Sequence, residues 1–156
     1  MYLPTPSGRQ RLNVLGALDA ITHQLITVVN ETYIDSHCVA ELIGKIVHEN
    51  FGIPITLVLD NAKYQRCEFV RQCAEKYNIE LLFLPSYSPH FNIIERLWKW
   101  IKCDCLYCKY YEKYCSFKDE INKSLIKIQQ QKYKKEFDSL FALNFQSYNN
   151  AHIMTA

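Results

Sequence analysis

"ITLVLDN", Ile55 to Asn61, is the stretch on which the reading of the fold turns. Ile55–Leu59 offers apolar or β-branched side chains to both faces, as a parallel strand buried between helix layers must. The run ends abruptly at Asp60. In open α/β sheets, ligands bind just beyond the C-terminal ends of the strands. An acid there is therefore a candidate site residue, although an Asp-Asn pair also suits a plain turn into the next helix.

Upstream, "RLNVLGAL" (Arg11–Leu18) and "QLITVVN" (Gln24–Asn30) read as two strands, and the "DAITH" between them as a hairpin turn. Val39, Leu42, Ile43, Ile46 and Val47 then recur at helical spacing behind the cap candidates Asp35 and Ser36, until "FGIP" breaks the helix. Downstream, Phe69, Val70, Cys73, Ala74 and Tyr77 mark one side of a second amphipathic helix. "IELLFL" (Ile79–Leu84) reads as another short buried strand, stopped by Pro85. A third helix starts at Asn92 and carries the apolar stripe Ile94, Leu97, Trp98 and Ile101. Ser116 and Asp119 have capping-box spacing ahead of Ile121, Leu125 and Ile128, and Phe137, Leu140 and Phe141 fit a last short helix. A hairpin followed by alternating strands and helices predicts an α/β fold, a mixed sheet with helices packed on it.

The chain of 156 residues suits one domain, and 49% hydrophobic with 22% charged residues is the balance of a soluble globular protein. Its apolar runs are too short to cross a bilayer, and "MYLPTPSGRQ" has no signal-peptide pattern. Seven cysteines, an odd number without an export signal, suggest free thiols in a reducing cytoplasm. Cys103, Cys105, Cys108 and Cys115 are too compressed for paired zinc knuckles. The net charge of +2 does not by itself argue for nucleic acid, and the basic cluster "KYKKEF" is most simply a solvated helix face.

Glu95 is the second acid of interest. It stands three residues after Asn92, a good N-cap, so capping alone would account for it. It also lies about 100° round from Ile94, flanking the buried stripe, where a carboxylate can point into a cleft. Paired with Asp60 it suits a hard divalent cation, which one or two carboxylates hold together with substrate phosphates. Two such ions can stabilise the attacking and leaving oxygens of a phosphodiester exchange.

These residues carry a resemblance. "LVLDNAKYQ" and "LFLPSYSPHFNIIERLWKWIK" resemble the two signature blocks of DDE transposases of the mariner superfamily, in its bacterial insertion-sequence branch. The interval from Asp60 to Glu95, residues 61–94, matches that superfamily's spacing. The likeness extends back through "PSGRQRLNVLGAL" and forward through "CKYYEKYCSFKDEI". It implies an RNase H-like fold and DNA cleavage and strand transfer with Mg²⁺ or Mn²⁺. Asp60 would be the second catalytic aspartate and Glu95 the last acid, both of them metal ligands. Asn61 would complete the "DNA" block, and Asn92 would open the glutamate helix. Ile93 replaces a frequent Pro, and Tyr64 stands near a frequent His. Lys63, Arg66, Arg96, Lys99 and Lys102, around the acids in sequence, are the expected contacts to DNA phosphates.

The resemblance also sets an expectation at the front of the chain. The family's first catalytic aspartate ends a first strand ahead of the "PSGRQR" region, and no such strand precedes Arg11. The expected sheet lacks its first central strand, leaving exposed backbone on the neighbouring strands. Asp19 ends the antiparallel second strand, far from Asp60, and does not substitute. Residues 1–145 are thus expected to form a partial catalytic domain and 146–156 a tail. Such a domain would be incomplete alone, acting as a homodimer or with an upstream transposase fragment in the bacterial cytoplasm and nucleoid, away from membranes. Two alternatives stay open: a non-enzymatic remnant that binds DNA or full-length transposase and inhibits, and a recombination nuclease on the same fold.

Overall fold

The computed structural model describes residues 10–50, 52–85, 92–107, 109–141 and 152–155. The fold is mixed α/β. β1 (Asn13–Asp19) and β2 (Leu25–Asn30) pair antiparallel, from Asn13 opposite Asn30 to Leu18 opposite Leu25. Asp19 makes their turn: its Oδ1 accepts from the N–H groups of Ile21 at 2.7 Å and Thr22 at 2.9 Å, while His23 takes φ of 60°. An aspartate bonding the backbone two and three residues on is an Asx turn, and histidine is among the residues that tolerate the left-handed region.

α1 (Ser36–Glu49) starts at Asp35, whose carboxylate accepts from His37 N–H at 3.0 Å and Cys38 N–H at 3.1 Å. β3 (Ile55–Leu59) and β4 (Ile79–Phe83) run parallel, joined by α2 (Glu68–Lys76). α3 (Ile93–Cys105), α4 (Tyr114–Lys127) and α5 (Lys134–Phe141) follow, and β5 (His152–Thr155) closes the chain. The five strands form one sheet in the order β2-β1-β5-β3-β4. The alternation of each strand divides the core. Leu15, Ala17, Leu57 and Leu59 face α1 and α2, whereas Leu18 and Leu25 face α3, α4 and α5.

Gly16 lies against α3. A Cβ there would lie 3.0 Å from Trp98 Cη2 and 3.1 Å from its Cζ2, so a larger residue requires the indole to shift.

Four expectations need correction. On α2 only Val70 and Ala74 are fully buried; Phe69 is 45% and Tyr77 39% exposed, because a nine-residue helix over the sheet margin buries a narrower stripe than its apolar residues mark out. β4 is an edge strand rather than a buried one, and its outer face carries Glu80 and a half-exposed Leu82. α4 begins at Tyr114 behind Lys113, so Ser116 lies inside its first turn instead of capping it. Finally, the place between β1 and β3 that was expected to be vacant is taken by β5, which runs parallel to β3 and antiparallel to β1.

Candidate active site

Asp60 directly follows β3 and is half-buried. Its Oδ1 accepts a 3.0 Å hydrogen bond from Asn92 Nδ2. Asn92 is fully buried and caps α3, its Oδ1 accepting from Ile94 N–H at 3.3 Å. One side chain thus performs two tasks: it satisfies an orphan donor of the helix and pins the strand-end carboxylate to that helix's N-terminus. The positive end of the helix dipole favours an anion there. Glu95 lies one helical turn beyond Asn92 and is exposed. Asp60 is thus bonded to the cap of α3, and Glu95 stands in that helix's first turn.

The other margin of the site is held by the two parallel strands. Leu84 N–H donates to the Leu59 carbonyl at 2.9 Å, which extends the ladder one residue past the end of β4. Asn61 Nδ2 donates to the Leu84 carbonyl, which fixes the turn after Asp60. Tyr64, noted in sequence only as a departure from a frequent His, packs against the α1–α2 core. Burial, and secondarily the Asp60 charge, pushes its hydroxyl above its ordinary pKa. No sequence signal links Asn92 to Asp60, because that contact depends on how β3 and α3 come together.

The five cations separate into groups. Lys99 and Lys102 are exposed at positions i+4 and i+7 from Glu95, so they continue its stripe along α3. Lys63 is exposed in the turn after Asp60, and the Arg66 guanidinium sits 5.9 Å from the Phe83 ring centroid. Arg96 faces elsewhere: its Nη1 donates to the Leu140 carbonyl at 3.4 Å, beside Trp100, whose Nε1 donates to Glu136 at 2.6 Å. Trp100 thus covers α5, whereas Trp98 covers β1. Asp19 is level with Leu57 through Met154 and bonds its own turn. Cys105 is buried and donates to the Ile101 carbonyl; Cys103 and Cys115 are exposed, and Cys108 and His90 lie outside the described residues.

A family model described as DDE superfamily endonuclease matches residues 1–135. The chain belongs to the DDE endonuclease superfamily. No curated protein matches it. Membership gives this DDE endonuclease a transposase- or nuclease-type function on DNA. The superfamily generally uses divalent metal ions. Among the described residues of this DDE endonuclease, no group of three or more His, Cys, Asp and Glu side chains is placed to hold one. Asp60 and Glu95 carry carboxylates, the donor type that hard divalent cations take together with substrate phosphates and water. Among the described residues no helix is long and apolar enough to cross a membrane.

Proposed function

We propose that this domain is the catalytic part of a mariner-superfamily transposase of the bacterial insertion-sequence branch, with an RNase H-like sheet. It would cleave DNA and transfer strands, and Asp60 and Glu95 would be its metal ligands. The observation that carries the reading is the Asn92 bridge, which ties the carboxylate at the end of β3 to the helix that bears Glu95. Bound Mg²⁺ or Mn²⁺ would activate a water or a 3′-hydroxyl of the DNA as nucleophile and stabilise charge at the phosphodiester. The chain's own part is to hold Asp60 in place at a helix N-terminus and to present Glu95 from the first turn. Lys63, Arg66, Lys99 and Lys102 seat the DNA backbone around them. Arg96, engaged with the α5 end, contributes least to DNA binding.

The absence of a third acidic ligand among the described residues favours a second reading: a domain that binds DNA or a transposase subunit and needs an outside ligand, or an upstream fragment, before it cuts. Nicking of supercoiled plasmid with Mn²⁺ separates the two. Nicking by the chain that is lost in Asp60→Ala and in Glu95→Ala supports the enzyme. Salt-sensitive DNA binding with no nicking at any Mn²⁺ concentration supports the binding module. Nicking that survives both substitutions contradicts the site.

A further inference from the structure

The outward stripe of α3 continues past the helix end. Glu95, Lys99, Lys102 and Leu106 follow one another at intervals of four, three and four residues, so they share one side of the helix. Leu106 keeps helical backbone and donates its N–H to the Lys102 carbonyl at 3.0 Å. It stands about 16 Å along the axis from Glu95. There it borders a hollow of about 310 Å³ between the end of α3 and the start of α4.

The hollow is walled by rings. Tyr110, Tyr111, Tyr114 and Phe117 line it with Leu106 and Lys109, and no acid does. Two of the rings are held at their far ends: Tyr111 Oη donates to the Cys105 carbonyl, and Tyr114 Oη to the Arg11 carbonyl at 3.1 Å. Phe117 meets both, its centroid 5.9 Å from that of Tyr111 and 6.1 Å from that of Tyr114. Arg11 in turn lies over the exposed Tyr33 ring, 4.8 Å from its centroid. Asp104 and Glu120, whose charges reach Tyr111, are already paired with Lys127 and Lys123. Rings held in this way lose little freedom when a ligand stacks on them. With Lys109 in the wall and no acid, the cage disfavours an ammonium ligand and suits a planar ring that carries a phosphate.

We propose that this hollow holds one unpaired nucleobase of a DNA strand that runs along α3 from Glu95 past Lys99 and Lys102. The base stacks among Tyr110, Tyr114 and Phe117, and Lys109 meets its phosphate. The span from Glu95 equals about five stacked nucleotides at 3.4 Å each. A paired base keeps its faces inside the duplex, so the hollow takes a frayed end or a single-stranded tail. It thereby selects DNA whose strands have separated close to the candidate site. This role depends on α3 being a path for DNA, as proposed above, but not on whether the domain cuts.

The test measures binding to the full chain by fluorescence anisotropy without divalent metal. It compares a fluorescein-labelled duplex bearing a tail of five thymidines with the same duplex ended bluntly. The tailed duplex is expected to bind at least about tenfold more tightly. Tyr110→Ala, at an exposed ring, should remove that advantage while far-ultraviolet circular dichroism stays unchanged, and Tyr110→Phe should keep it. Where Tyr110→Ala does not fold, Lys109→Ala decides, since it should reduce the tail advantage as well. Equal affinity for the two duplexes would overturn the proposal. So would a tail advantage that survives Tyr110→Ala in the folded variant. Binding of thymidine 5′-monophosphate alone, with the two duplexes still equal, would make the ligand a free nucleotide and overturn it too. Binding of neither duplex would contradict the DNA path along with the hollow, whereas equal binding that Lys102→Glu weakens would contradict the hollow alone.

Discussion

At the scale of single residues, Asn92 has more influence than either acid on whether a site exists. Asn92→Leu keeps the volume but removes both the cap and the donor to Asp60. It should lower unfolding stability by about 1–2 kcal/mol in urea titration. DNA cleavage should fall with it even where the protein remains folded. Gly16 is the other sensitive position. Gly16→Val forces a branched side chain into the Trp98 ring, at an expected cost of about 1–3 kcal/mol in the same titration, with a changed near-ultraviolet tryptophan signal. The sequence displayed Asp60 plainly, because an acid after five apolar or β-branched residues is conspicuous. It did not display the Asn92 bridge: a helix cap looks the same whether or not a carboxylate lies across from it.

At the scale of elements, α3 is a three-sided device. One side packs on β1, one meets α5, and the third carries Glu95, Lys99 and Lys102 outward. If that stripe seats DNA, Lys99→Glu with Lys102→Glu should reduce the slope of log affinity against log salt by about 1.8, two phosphate contacts' worth, in fluorescence anisotropy. An unchanged slope would remove the stripe from the interface.

The far end of α3 is tied to α4 through Asp104, which accepts from Lys127 at 2.6 Å and Ser124 at 2.5 Å. Partial burial opposes the Asp104 charge, but the Lys127 and Ser124 hydrogen bonds outweigh it and hold the pKa below the ordinary 3.8. A carboxylate whose pKa is lowered by folding stabilises the fold above its unfolded pKa and loses that contribution as pH falls through the folded one. Asp104→Asn should therefore cost at most about 1 kcal/mol at neutral pH, and the difference from the parent should shrink below about pH 4. Element types were readable wherever period and caps agreed, as in α1 and β3. They misled where a short element meets the sheet margin. The mostly apolar run Ile79–Leu84 reads as a buried strand until its place at the edge is known, and Phe69 and Tyr77 mark an apolar side wider than the neighbouring surface can cover.

At the scale of the whole molecule, the sheet joins two cores, and the strand at its centre comes from the chain's end. No local signal in His152–Thr155 announces a strand. Four residues acquire that conformation from the two edges they join, and a sequence does not display its edges. Weakening that strand with Met154→Pro should leave the β1 and β3 edges open, and light scattering should then show concentration-dependent association. The central claim is that Asp60 and Glu95, brought to one end of α3, hold a common divalent cation. Its most direct test is electron paramagnetic resonance titration of Mn²⁺ into the chain with duplex DNA present, compared with Asp60→Ala and Glu95→Ala. The account predicts that each substitution removes the same tight Mn²⁺ signal while far-ultraviolet circular dichroism stays unchanged. Full Mn²⁺ stoichiometry and affinity in either folded variant would contradict it.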